Sequence, residues 1–267
     1  MTAITAPTHT ASWATTATTV AGRTTRKLLR TPQVFGIAIV QSVLFLLMFR
    51  YVIGGAIGVR GVTYVEFLVP GFVVSGILFT GGGSSVAVAE DVAAGQYDRM
   101  RSLPIADSAV LAGRAMADAA LMVLVGLVTL LVGFVIGFRM STTVADFVFA
   151  LGLLVVYALC FAIVFAWLGL VSGSAQAAQG LSILAVPFSF ISSAFVPIAT
   201  MPGPVQAFAK AQPLTFMVNS WRGLLLGGNV TRTFDHGVSY YVIGSLLWAL
   251  VIALVFTPLA MRSYRKG

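Results

Sequence analysis

The chain has 267 residues, 58% of them hydrophobic and only 9% charged, with a formal net charge of +8 and a mean hydropathy of +0.98. A soluble domain carries about a quarter charged residues, so the composition excludes one and implies an integral membrane protein. The basic excess is split among segment ends with no interleaved aromatic pattern, which excludes nucleic acid as a partner and fits anionic inner-leaflet lipid.

Residues 1–20 are rich in Thr and Ala without apolar periodicity and read as a disordered cytoplasmic tail. Over 21–33 the pattern turns basic, with Arg23, Arg26, Lys27 and Arg30 beside Leu28 and Leu29. That suits a short helix at the membrane interface; a solvated basic tail is the competing reading. No apolar h-region precedes Val34, so no cleavable signal peptide is expected.

From there to residue 267 the sequence reads as one all-α transmembrane domain. Six stretches reach the roughly 20 apolar residues that a spanning helix needs: 34–53, 66–89, 117–138, 147–171, 180–199 and 238–261. Ten Lys and Arg residues fall on one side of that topology and six on the other, which puts both termini in the cytoplasm. The run TGGGSSVAVAE, from Thr80 to Glu90, brings small residues together and permits close helix approach or bending, with packing as the default role.

Between spans two and three lies the most charged stretch of the chain, with Glu90, Asp91, Asp98 and Asp107 supplying four of the eight acidic residues, beside Arg99, Arg101 and Arg114. Gly95 and Pro104 bracket room for about two helical turns. There Tyr97, Met100 and Leu103 recur three apart as an apolar stripe, suited to slot into a groove on a soluble partner, with Asp107 as N-cap of the next span. The alternative is a loop whose charges only solvate it and pin it to lipid.

The outer connection 197–237 contains Pro197, Pro202, Pro204 and Pro213, with Lys210 and Arg222, and therefore does not span. Its apolar spacing predicts two short re-entrant helices forming an outer gate, with Trp221 at the interface. Arg222 then either pairs with an outer carboxylate such as Glu66 or snorkels to lipid phosphate.

No ionisable residue is expected inside a span, with Glu66, Asp118 and Asp146 at span ends and His9 and His236 outside them. Ion coupling is therefore disfavoured. The lone Cys160 gives neither a disulfide nor a zinc site. Lacking a phosphate-cradling G-x-x-x-x-G-K-[ST] loop, the chain is expected not to be an enzyme, to bind no cofactor itself, and to draw energy from a partner.

The segment EDVAAGQYDRMRSLPIADSAVLAGRAMAD resembles the cytoplasmic loop of ABC-2-type permeases, in particular the membrane subunit of daunorubicin-resistance-type exporters. Glu90, Asp91, Gly95, Arg99, Leu103 and Pro104 carry the match. MPGPVQAFAKAQPLTFMVNSWRGLLLGG is similar to the family's segment before the last span through Pro202, Gly203, Pro213, Leu214, Arg222 and Gly223, with Pro204 where an aromatic is common.

The resemblance covers nearly the whole chain. It implies a permease paired with a second one, as homodimer or heterodimer, in a bacterial plasma membrane. Two separate ATP-binding subunits would carry ATP and Mg, and the short cytoplasmic helix would couple them to expulsion of an amphipathic substrate. It also places a substrate path near spans two and five, where Phe72, Phe79, Phe188, Phe190 and Phe195 are candidates; core packing is the competing role for each. A structural or ion-conducting membrane protein without ATP coupling is the alternative function.

Overall fold

The structure is a computed structural model that describes residues 12–30, 32–55, 58–59, 61–227 and 235–266. Among these the secondary structure is helical. In chain order the helices are α1 (Trp13–Arg30), α2 (Pro32–Met48), α3 (Tyr64–Ala93), α4 (Gln96–Arg101), α5 (Asp107–Val135), α6 (Val144–Val171), α7 (Ala175–Ile183), α8 (Ala185–Phe190), α9 (Gly203–Ala211), α10 (Pro213–Leu226) and α11 (Val238–Lys266). A π-helical turn, Phe49–Ile53, extends α2.

Among the described residues five helical stretches are long and apolar enough to cross a membrane: Gly36–Ile53, α3, α5, α6 and α11. The protein is multi-pass. The expected fifth span, 180–199, is not a continuous helix. Pro187 has no N–H to offer the Ile183 carbonyl, and α7 ends at that residue. Beyond α8 the Ser192 hydroxyl donates to the Ser189 carbonyl at 2.6 Å, offering the backbone a bend in place of a further helical turn. The broken segment nevertheless stays beside α3. Ser182 meets Ser85, their hydroxyls 2.6 Å apart, and the Phe195 carbonyl accepts from the Tyr64 hydroxyl at 3.3 Å. From Ser85 back to Tyr64 is about 31 Å of helical rise, close to the thickness of a bilayer's hydrocarbon core.

Helix α3 is the axis of the molecule. It starts from a capping box in which the Thr63 hydroxyl accepts from the Glu66 N–H at 3.3 Å and the Glu66 carboxylate accepts from the Thr63 N–H at 2.7 Å. Below it the small-residue run works as a packing face, with the Phe165 ring of α6 occupying the place of a Gly81 side chain. Hydroxyl bonds tie neighbouring helices together in the core. Tyr157 on α6 joins Ser220 on α10 at 2.8 Å and Ser245 on α11 at 2.7 Å, and Ser42 on α2 joins Thr129 on α5 at 2.8 Å.

The N-terminal helix is longer than its basic stretch suggests. It begins at Trp13, taking in residues 13–20 assigned from sequence to a disordered tail; the rest of that tail, 1–11, lies outside the described residues. Packing explains the extension. The Trp13 indole N–H donates to the Ser108 hydroxyl at 3.0 Å, and the Ala17 carbonyl lies against Gly113, so α1 runs along the start of α5. Over 13–30 it is a helix packed on α5 and not a solvated tail.

Candidate functional site

The cytoplasmic loop of the sequence reading folds into α4, with the chain entering it through Gly95 at φ +66°, a conformation that glycine adopts without strain. Its apolar stripe is turned the opposite way from expectation. Tyr97 (5% exposed) and Met100 (8%) are buried against Val88, Val110, Ala166 and Tyr264 of this same chain. Burial of a residue such as Met100 stabilises by about 1.5–3 kcal/mol, enough to commit the stripe to the chain's own helices. Burial is also what pushes the Tyr97 phenol up to about 12, against the opposing pull of the Arg114 charge. The outward face is left with Glu90, Asp98, Arg99, Ser102, Leu103 and Pro104.

Three long helices hold α4 in place. It follows the end of α3 through a two-residue turn, and α5 begins at Asp107 with no side-chain cap. Asp107 is thus not the expected N-cap; its carboxylate accepts instead from Arg265 at the end of α11, at 3.0 Å. Arg101 pairs with Asp98 and donates to the Tyr264 carbonyl of α11 at 2.9 Å. The Tyr97 and Tyr264 rings meet edge-on with centroids 5.4 Å apart.

Just inside this platform lies a buried ion cluster that the sequence reading missed. Arg114 bridges two carboxylates, reaching Asp91 on α3 through Nη1 and Asp118 on α5 through Nε, each at 2.8 Å. It also donates to the Ser84 carbonyl at 3.2 Å, and the Ser84 hydroxyl donates to Asp118. Lys27 of α1 reaches the second Asp91 oxygen at 2.8 Å. Asp118, expected at a span end, is 2% exposed between helices. The available signal was the spacing of Arg114 and Asp118, four apart on one helical face. The cluster fastens α1, α3 and α5 to one another beside α4.

At the other end of the bundle the proline-rich segment forms the two short helices expected, α9 and α10. Pro202 and Gly203 start the first, Pro204 occupies its first turn where a missing N–H costs nothing, and Pro213 starts the second. Trp221 and Arg222 are not where they were expected. Trp221 is fully buried rather than interfacial, its indole N–H donating to the Ala150 carbonyl of α6 at 2.7 Å. Arg222 neither pairs with Glu66 nor snorkels. It is 1% exposed and bonds the carbonyls of Phe67 (3.0 and 2.8 Å) and Ser193 (2.9 Å) and the Asn219 side-chain oxygen (2.9 Å). The α8–α9 connection can come this close to α3 because Gly71 has no side chain: the Ala194 carbonyl oxygen lies 2.0 Å from where a Cβ would stand.

Four of the five candidate path aromatics come together. Phe72 and Phe195 have ring centroids 4.7 Å apart, Phe190 lies 5.0 Å and Phe79 6.5 Å from Phe195, and Phe49, unforeseen, joins at 5.2 Å. Phe188 stands apart against Phe208 of α9. Phe72 and Phe195 are core residues, whereas Phe190 reaches the surface.

A family model described as ABC-2 type transporter matches residues 16–226. The chain is 31% identical over 229 residues, 85% of its own length and 78% of the relative's, to the daunorubicin resistance ABC transporter permease protein DrrB1 of Streptomyces coeruleorubidus. It is 27% identical over 236 residues, 86% of its length and 81% of the relative's, to the probable doxorubicin resistance ABC transporter permease protein DrrC of Mycobacterium tuberculosis. A match over most of the chain, on a multi-pass helical bundle with both motif segments folded into short helices at opposite ends, identifies this protein as a member of the ABC-2 type transporter family.

Proposed function

We propose that this chain is the permease subunit of an ATP-driven exporter in a bacterial plasma membrane, expelling amphipathic drugs or lipids. Two separate ATP-binding subunits would bind ATP and Mg and supply the energy, and a second permease, identical or related, would complete the path. The chain itself then performs no hydrolysis. The observation that carries this reading is the mounting of α4. Its charged outer face is free for a soluble partner, while its inner face and flanks are tied to the ends of α3, α5 and α11. A push on α4 is thereby delivered to three long helices at once.

Six crossings with both termini in the cytoplasm agree with the contacts. Lys27 near one terminus and Arg265 near the other both reach the α4 end of the bundle, which supports an even number of crossings between them. On this reading the sixth crossing would be the broken α7–α8 segment, which runs the length of α3 in the opposite direction. On this reading α9 and α10 form an outer gate with Trp221 and Arg222 as its anchors, and Phe190 and Phe79 border the path. Exposed apolar faces on α2 and α11 would meet lipid or the second permease.

Affinity purification from detergent followed by an ATPase assay tests the function. Stoichiometric recovery of an ATP-binding subunit, with nucleotide hydrolysis that depends on the permease, is the expected result. Recovery of the permease alone, with ion conductance in planar bilayers, would instead establish a channel without ATP coupling.

A further inference from the structure

Above Arg222 the outer side of the molecule opens into a cavity of about 440 Å³. Its wall offers hydrogen-bonding groups from Ser193, Thr200, Gln206, Lys210, Asn219 and Tyr241, and its floor is Phe67 and Arg222. The floor carries a full positive charge. Among the described residues no carboxylate lies within ion-pair distance of Arg222, whose partners are three backbone carbonyls, one amide oxygen and the Phe67 ring. Asp235, the one acidic residue among the described lining residues, is already paired with Lys210 at 2.6 Å.

Carbonyl dipoles satisfy the guanidinium's hydrogen bonds but do not cancel its charge, so the cavity is left at positive potential in a medium that screens poorly. From this we propose that the cavity binds the phosphate of a net-anionic headgroup, presented by a glycerophospholipid of the outer leaflet. The ligand would bond the polar wall directly and neutralise Arg222 from a short distance. Lipid is favoured over a dissolved anion because the rim is amphipathic: on α9, Gln206 and Lys210 face the cavity while Val205 and Phe208 expose apolar surface beside it, a place for acyl chains. The proposal goes beyond the export reading and holds whether or not transport is driven by ATP.

Native mass spectrometry of the delipidated full-length chain tests it, with dihexanoyl phosphatidylglycerol, dihexanoyl phosphatidylcholine and inorganic phosphate as probes. Phosphatidylglycerol is expected to bind at least about tenfold more tightly than phosphatidylcholine. Ala199→Trp fills the cavity from an exposed position that none of the Arg222 hydrogen bonds uses, and should abolish the difference while the protein stays folded. Arg222→Gln should do the same; if it fails to fold, Ala199→Trp and Lys210→Gln decide. Inorganic phosphate that competes with phosphatidylglycerol and is lost in Ala199→Trp would assign the same site to a soluble anion. Equal binding of the two lipids, or preference for phosphatidylglycerol surviving in Ala199→Trp, overturns the proposal.

Discussion

The guanidinium carbon of Arg222 lies 3.7 Å above the ring of Phe67, while two of its nitrogens donate to that residue's carbonyl. One side chain thereby joins α10 to the first turn of α3 and, through Ser193, to the turn after α8. Lysine has the charge but neither the planar face nor the fork of donors. Arg222→Lys is expected to destabilise the detergent-purified protein by about 2–3 kcal/mol, the cost of leaving buried carbonyls unmatched. An unchanged thermal midpoint would reject this stapling role.

The same junction depends on Gly71. A methyl group there meets the Ala194 carbonyl oxygen, so Gly71→Ala must push the turn off α3, at a cost of about 1–3 kcal/mol. Gly83, in the same helix, has nothing within 4 Å of an added Cβ, and Gly83→Ala is expected to be neutral or to stabilise by up to about 1 kcal/mol through helix propensity. Equal melting temperatures for the two variants would mean that α3 and the turn are not in contact.

In the ion cluster the cost of a substitution should follow burial. Arg114→Met takes the cation from buried Asp118 and leaves Asp91 to Lys27, and is expected to cost about 3–5 kcal/mol, read as loss of monodisperse protein in detergent. Lys27, half exposed, contributes less than about 1 kcal/mol to its pair with Asp91, so Lys27→Met should purify normally.

Much of this was legible in the sequence, and the limits have physical causes. Length and hydropathy mark continuous spans well, because a helix in lipid must satisfy its own backbone. The segment 180–199 passed the same test and yet is broken, since serine side chains and Pro187 let neighbouring helices and turns satisfy backbone groups that a lone span could not leave open. Prolines marked the starts of α9 and α10. What hydropathy cannot encode is the direction of a face. Tyr97 and Met100 form the stripe their spacing predicts, but whether it meets a partner or the chain's own α11 depends on tertiary packing. Arg222 likewise looked like an interfacial charge because carbonyl partners leave no mark in a sequence.

That inward stripe changes what substitutions in α4 should do. Met100→Asp would bury a carboxylate beside Tyr97 and Tyr264 and is expected to impair folding and membrane yield. Leu103 is 54% exposed, so Leu103→Asp should leave yield intact while reducing association with the ATP-binding subunit or uncoupling its hydrolysis from export. Normal yield of Met100→Asp would contradict the packing of α4. Unimpaired export by Leu103→Asp would contradict a partner contact at that residue.

Sidedness can be read with cysteines, and the chain offers a quiet background for it. Its only native thiol, Cys160, is buried in α6 and directed at the Ala249 carbonyl at 3.4 Å, so an impermeant maleimide should not reach it. Lys210 and Ser102 are exposed at opposite ends of the bundle, one on α9 and the other just after α4. Lys210→Cys breaks an exposed ion pair worth about 0–1 kcal/mol and should fold normally. With both termini in the cytoplasm, Lys210→Cys is expected to be labelled in intact cells and Ser102→Cys only after the membrane is permeabilised. Labelling of Ser102→Cys alone in intact cells would invert the topology and place α4 where no ATP-binding subunit could reach it. Labelling of both would require that the α7–α8 segment does not complete a crossing.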